Sequence, residues 1–215
     1  MDDKPNIREQ MDRIYRDLPL ESIPWNIEEP PALLVEAVET AQIKPCKAVD
    51  LGCGTGNYAV WLAGKGFDVT GIDISQEAIE RARNLALRKG VSCRFVVLDL
   101  LGDLSEYHDQ FDFAYDWELL HHIFPDDRKR YVQNVRRLIR SGGTYLSLCF
   151  SETDLSFGGK GKYRKTPIGT TLYFSSENEL RKLFQPVFKL RDLRTVEIVG
   201  KSGSHIVAVA WLNRP

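Results

Sequence analysis

The sequence predicts an α/β protein built on a doubly wound, mostly parallel sheet that ends in an antiparallel pair. Short apolar runs alternate with amphipathic helical stretches from residue 46 to residue 150, the pattern of strands linked by crossover helices. The first of these runs, Ala48-Val49-Asp50-Leu51, passes directly into Gly52-Cys53-Gly54-Thr55-Gly56-Asn57, and a helical pattern follows at once. Glycines at every second position let the backbone bend sharply and touch a ligand. In an open α/β sheet, ligands bind past the carboxyl ends of the strands. A third observation closes the sheet: two late strand-like runs joined by Gly200-Lys201-Ser202-Gly203 predict a hairpin.

Length and composition bound the class. At 215 residues the chain is long enough to bury about 70% of its unfolded surface as one domain. A net charge of −1 gives no global pull toward nucleic acid or anionic membrane, so neither is expected as a partner. Met1-Asp2-Asp3-Lys4-Pro5 is no signal peptide and no apolar run is long enough to span a bilayer, which predicts a cytoplasmic protein. Cys46, Cys53, Cys93 and Cys149 are scattered without metal spacing, so packing thiols and no metal are expected.

The elements follow in order. Ile7, Met11, Ile14, Tyr15 and Leu18 recur at helical spacing, predicting an amphipathic helix over 6–17. Trp25, in a proline-bounded loop, is either a packing anchor or the wall of a binding site. A second helix starts at Pro31, with proline suited to its first turn. Strand one is Cys46–Leu51, and the helix after the glycines stops at Gly64-Lys65-Gly66. Strand two is Asp68–Asp73; Ser75 then caps a helix that ends before Gly90. Strand three is Cys93–Leu98, ending in Asp99, and strand four is Phe111–Tyr115, ending in Asp116. Pro125-Asp126-Asp127 opens a helix, acidic residues suiting its positive end. Ser141-Gly142-Gly143 turns the chain into strand five, Thr144–Phe150.

Beyond residue 150 the alternation breaks. The Gly-rich, basic stretch with Lys160, Lys162, Arg164 and Lys165 predicts a mobile loop or lid over 151–174, able to steer an anionic substrate. Ser176-Glu177-Asn178-Glu179 is a capping box, and the hairpin strands are 187–199 and 205–212. The expected organisation is therefore one domain: N-terminal helices with the Trp25 loop to residue 44, a ligand-binding core to 150, the loop, and a C-terminal helix and hairpin.

Two ligands compete for the glycines. Gly54-Thr55-Gly56-Asn57-Tyr58-Ala59 formally fits the dinucleotide pattern G-x-G-x-x-A, with Asp73 about twenty residues on. A pyrophosphate at the helix N-terminus is anionic, however, and Asp50 stands directly before the glycines. A carboxylate there is a poor neighbour for phosphate and a good one for a cation. S-adenosylmethionine, with a sulfonium, an ammonium and no phosphate, suits that field. Asp73 at the tip of strand two offers two acceptor oxygens to a ribose diol. Asp99 can accept from an adenine amino group, with Leu98 and Leu100 as apolar cover. Asp50, Asp73, Asp99 and Asp116 end four consecutive strands, a row along the ligand-binding edge.

These segments carry a family resemblance. Val49-Asp50-Leu51-Gly52-Cys53-Gly54-Thr55-Gly56 resembles motif I of the class I S-adenosylmethionine-dependent methyltransferases. Phe111-Asp112 through Leu120-His121-His122 is similar to their strand-four region, and Leu138-Ile139-Arg140-Ser141-Gly142-Gly143 to their L-x-P-G-G turn, with Ser141 replacing the proline. Pro24-Trp25 and Val69-Thr70-Gly71-Ile72-Asp73-Ile74-Ser75 resemble, more loosely, the small-molecule subgroup of thiopurine, thiol and tellurite-resistance methyltransferases. The resemblance covers most of the chain and implies a Rossmann-like, seven-stranded sheet in the order 3-2-1-4-5-7-6. It implies that Gly52, Cys53 and Gly54 lie against the methionine part, Asp73 and Ile74 at the ribose, and Asp99 and Leu100 at the adenine. Asp116 and Trp117 then meet the methionine end or the sulfonium, and Trp25 and Tyr15 become cofactor covers.

Methyl transfer is an in-line displacement that needs alignment and exclusion of water more than covalent help. A thiol, with a free pKa of about 8.5, needs little assistance, whereas an amine, phenol or carbon acid needs a proton acceptor. His121 and His122 lie just beyond strand four and are the expected catalytic residues, with helix packing or capping as their other reading. The expected function is methyl transfer to a small-molecule thiol, amine, hydroxyl or metalloid by a monomer or homodimer. The alternatives are a non-catalytic S-adenosylmethionine-binding protein and an NAD(P)-dependent oxidoreductase.

Overall fold

The structure, a computed structural model, describes residues 6–201 and 203–215. Met1-Asp2-Asp3-Lys4-Pro5, and Ser202 of the expected hairpin link, lie outside the described residues. The chain packs as two compact units that divide between Gly102 and Asp103.

The first unit holds α1 (Ile7–Asp17), α2 (Ala32–Glu39), β1 (Lys47–Leu51), α3 (Asn57–Gly64), β2 (Asp68–Asp73), α4 (Gln76–Lys89) and β3 (Arg94–Val97). The second holds β4 (Phe111–Trp117), α5 (Pro125–Leu138), β5 (Ile139–Phe150), β6 (Tyr163–Lys165), β7 (Thr171–Tyr173), α6 (Glu177–Phe184), β8 (Lys189–Gly200) and β9 (Gly203–Asn213). Seven strands form one sheet in the order β3-β2-β1-β4-β5-β9-β8. This is the predicted order; the last two strands change number because the separate hairpin β6–β7 precedes them. β1–β2, β2–β3 and β4–β5 pair in parallel, while β9 pairs antiparallel with β5 and β8.

Local chemistry sets the element ends. The Ser75 hydroxyl accepts from the Ala78 N–H at the start of α4, and Gly90 closes that helix in the left-handed conformation. Ser176 and Glu179 form the reciprocal capping box of α6. The core of the first unit packs Val49, Leu51 and Ile72 of the sheet with Leu62, Ile79 and Ala82, all fully buried. That of the second packs Phe113 and Tyr115 with Tyr131, Val135, Leu146 and Leu148. Among the described residues no helix is long and apolar enough to cross a membrane.

Two segments differ from expectation. Ser141-Gly142-Gly143 is an irregularity inside β5 and not a turn before it: the register steps from Phe111↔Ile139 to Phe113↔Thr144. The Gly142 N–H donates to the Arg214 carbonyl and the Arg214 N–H to the Gly143 carbonyl, so the C-terminal residues satisfy this backbone. The segment read as a mobile loop, 151–174, carries the hairpin β6–β7 and is organised around Arg164, only 4% exposed. The Arg164 guanidinium donates to the carbonyls of Glu152, Asp154, Ser156 and Gly161 and lies 3.8 Å from the Phe174 ring centre. Lys162 pairs with Glu152 and Glu179. Two of the four basic side chains expected to steer an anion are thus spent within the fold.

Candidate active site

The first unit holds Trp25, Asp50, Gly52, Cys53, Gly54, Asp73, Ile74, Asp99 and Leu100, nine of the eleven residues expected at the cofactor. Past Leu51 the chain turns through Gly52 (φ 74°), Gly54 (φ 52°) and Gly56 (φ 80°), a region that L side chains rarely adopt. The N–H groups of Gly52 and Cys53 both donate to the Ile72 carbonyl, at 2.8 and 3.0 Å, fastening the turn to the end of β2. Asp73 fastens it again. One of its carboxylate oxygens accepts from the Gly54 N–H and the other from the Ser75 N–H, each at 2.9 Å. Asp73 therefore joins the glycine turn to the start of α4, a positioning task absent from the sequence-level reading. These backbone bonds do not use all of the about four acceptor sites of a carboxylate. Burial raises the Asp73 carboxyl, and the backbone N–H bonds from Ser75, Gly54 and Ile74 oppose that rise.

The electrostatic field at this turn is negative. Burial, then the Asp73 charge, holds the Tyr15 hydroxyl well above its ordinary range. Cys53 is raised by burial and then by Asp50 and Asp73. Asp50 itself is only 3% exposed. Asp99 is half-buried, and one of its oxygens accepts from the Leu101 N–H at 2.8 Å, ordering the turn that buries Leu100. Ile74 is half-buried beside Asp73.

The N-terminal segment lies over the glycines. The Trp25 indole N–H donates to the Tyr15 hydroxyl at 2.8 Å, and a Cβ on Gly54 would stand 2.8 Å from that same oxygen. The Asn26 side-chain Oδ1 accepts from the Thr55 hydroxyl at 2.6 Å and from the Asn57 side-chain amide at 3.3 Å. Asp12 accepts from the Ser75 hydroxyl at 2.6 Å, and Arg81 donates to the Tyr15 carbonyl at the same distance. Asn26, Thr55 and Asp12 escaped the sequence analysis. Polar Thr55 and Asn57 among the glycines were the available signal, since a buried hydroxyl or amide needs a partner.

In the second unit Asp116 departs from its assigned role. It is fully buried, and its carboxylate accepts from the hydroxyls of Tyr131 (2.9 Å), Ser147 (3.0 Å) and Tyr145. Burial pushes the group up to about 6 against the pull of those hydroxyls. A carboxylate so enclosed braces β4 against α5 and β5 and is turned away from solvent. Trp117, the last residue of β4, is half-buried.

Beyond Trp117 the chain passes Glu118, at φ 66°, and enters a single helical turn, Leu120–His122. Arg128 locks that turn, donating to the carbonyls of Leu120 (3.0 Å) and Ile123 (2.7 Å) and to the Ser175 hydroxyl. His121 is 3% exposed, stacks on Phe150 with ring centres 4.6 Å apart, and has an Nδ1 without a hydrogen-bond partner. The His122 ring lies 4.8 Å from it. Burial lowers His122 to about 4 and holds His121 well below the ordinary imidazole range, with His122, Arg128 and His205 adding to the latter shift. Both imidazoles stay neutral at pH 7 and bind a proton weakly, which suits hydrogen bonding better than the general-base role expected of them. A further residue absent from the sequence analysis is Glu118, whose carboxyl burial raises to about 7.

Residues 48–143 match the methyltransferase-domain family. A ribosomal RNA small subunit methyltransferase C from Alcanivorax borkumensis is 34% identical over 121 residues, covering 56% of this chain; the chain spans about a third, 35%, of that relative's length. A 2-heptyl-1-hydroxyquinolin-4(1H)-one methyltransferase from Mycobacteroides abscessus is 26% identical over 193 residues, 87% of this chain and 80% of that one. A protein solved in work on the conversion of a disulfide bond into a thioacetal group during echinomycin biosynthesis aligns with a TM-score of 0.80 and 27% identity, covering 97% of this chain and 92% of the other. Together with the strand order and the glycine turn between β1 and α3, these matches support the resemblance of the chain to the class I S-adenosylmethionine-dependent methyltransferases.

Proposed function

We propose that this protein transfers the methyl group of S-adenosylmethionine to a small-molecule nucleophile. The observation that carries the proposal is the negative field at the glycine turn, where the buried carboxyl groups of Asp50 and Asp73 stand beside the glycines and add to the effect of burial in raising Tyr15 and Cys53. Such a field repels a pyrophosphate and favours a ligand bearing a sulfonium and an ammonium. When bound, the cofactor supplies an activated methyl group. The chain's own residues then bind and orient it. The backbone at Gly52, Cys53 and Gly54, with Asp50, holds the methionine part, and Asp73 with Ile74 receives the ribose on its remaining acceptor sites. Asp99 and Leu100 take the adenine; Trp25, braced by Tyr15, excludes water from above. Trp117 meets the methyl end, with Asp116 fixing the strand tip behind it, and neutral His121 and His122 hydrogen-bond the acceptor.

The relative from Mycobacteroides abscessus, which matches over most of both chains, acts by its name on a hydroxyquinolone, and that supports a small acceptor. The same reading has the protein working in the cytoplasm as a monomer or homodimer. Calorimetric titration with S-adenosylmethionine, S-adenosylhomocysteine and NADH tests it. The first two are expected to bind, and binding of NADH alone refutes the proposal. Turnover of labelled cofactor over thiols, phenols, amines and metalloid anions then separates an enzyme from a passive binder.

A further inference from the structure

Glu118 is an anomaly in backbone, burial and bonding at once. It adopts φ 66°, a conformation that carries a cost for any residue with a Cβ and in which Glu is not among the tolerated types. Its N–H donates to the Leu148 carbonyl at 3.1 Å, so β5 holds the backbone there. It is the first residue past the carboxyl end of β4, the edge at which parallel sheets bind ligands. Half-buried between Trp117 and the Leu120–His122 turn, its carboxylate has no hydrogen bond or ion pair among the described residues. Asp116, two residues earlier, takes three hydroxyls. Fold stability explains none of this: glycine would relieve the backbone, and an apolar side chain would remove the unpartnered carboxylate.

Resting on the methyl-transfer reading above, we propose that Glu118 is the proton acceptor for the methyl acceptor, which is therefore an aryl hydroxyl or a conjugated N–H rather than a thiol. The acceptor's lone pair forms the new bond to the methyl carbon as the carbon–sulfur bond breaks and its electron pair returns to sulfur. The acceptor's proton passes to a Glu118 oxygen and from there to solvent. Burial alone raises this carboxyl to about 7; no charged group from β4, β5, α5 or the His121–His122 turn contributes. A base so poised suits a phenol-like proton near 10, is far too weak for an aliphatic alcohol, and is unnecessary for a thiol. The depressed imidazoles of His121 and His122 leave the task open to it.

The test uses the full chain as wild type, E118Q and E118G, with labelled S-adenosylmethionine and a panel of aryl probes: 2-naphthol, 4-hydroxyquinoline, benzimidazole and 2-naphthalenethiol. Turnover of the O–H or N–H probes is expected to fall about 100-fold or more in both variants, while the thiol changes by less than about 3-fold. Affinity for S-adenosylhomocysteine should be unchanged, and E118G should melt higher than wild type. Carbon-13 NMR of glutamate-labelled protein should contain one carboxyl titrating near neutrality that E118Q lacks. Equal losses on thiol and O–H probes, undiminished turnover in E118Q, or a wild type that methylates no O–H or N–H probe overturns the assignment. A wild type that fails to bind S-adenosylhomocysteine overturns instead the methyl-transfer reading beneath it, a result the calorimetry distinguishes.

Discussion

Gly56→Ala tests whether the glycine turn is dictated by backbone conformation and close packing together. Gly56 has φ 80°, and a left-handed backbone costs an alanine about 1–2 kcal/mol. Its added Cβ would stand 2.8 Å from the Ala82 Cβ and 2.9 Å from the Phe95 ring. Ala82 and Phe95 are buried, at 0% and 5% exposure, so neither yields easily, and overpacking of this kind costs about 1–3 kcal/mol. The sum, about 2–5 kcal/mol, lowers the melting temperature by about 4–20 °C for a chain of this size. Gly90→Ala separates the two contributions. Gly90 has φ 65°, but a Cβ added there would meet nothing within 4 Å, so this variant should lose only the backbone part. Circular-dichroism melts and urea titrations of both variants supply the comparison. If Gly56→Ala is destabilised no more than Gly90→Ala, the close approach of α4 and β3 to the turn is not what requires glycine there.

Two further outcomes follow from the second unit. Arg164→Ala should cost about 3 kcal/mol, because it strands four carbonyls and the face of Phe174, and should open residues 152–162 to limited proteolysis; a loss below about 1 kcal/mol contradicts the role given to Arg164. Burial pushes Glu179 up, but Lys162, the Ser176 N–H and hydroxyl, and the Tyr173 hydroxyl overcome it and hold the carboxyl at about 2, below its ordinary 4.5. Its stabilisation is therefore present above pH 4.5 and lost as pH falls from there through 2. Melting temperatures of wild type and Glu179→Gln should converge across that window, and a constant gap argues against the coupling.

Much of the fold was legible because its signals are local. Ser75 caps α4 through a bond to a residue three positions away, as Ser176 and Glu179 do for α6, and such partners are close in sequence by necessity. The glycine turn was visible for the same reason: positive φ is a property of single residues. Strand alternation delivered the sheet order through the family resemblance, whereas the hairpin within 151–174 and the place of the glycines inside β5 were not legible. Both hinge on distant partners, Arg164 with carbonyls 3 to 12 residues away and Gly142 with Arg214.

The sequence by itself therefore determined which residue types stand at the tips of the strands, and so the negative character of the glycine turn. Which way those side chains face was decided only by tertiary structure. β4 is covered on both faces, so period-two alternation says nothing about where Asp116 points; Tyr131 and Tyr145, 15 and 29 residues further on, draw it inward. Asp73 gained its bonds to Gly54 and Ser75 only when two turns met. Glu118 is ordinary in the sequence and becomes a candidate base only where the fold holds it at positive φ, half-buried and unpaired. A carboxylate's chemistry depends on its solvation and its partners, and both are properties of the packed chain.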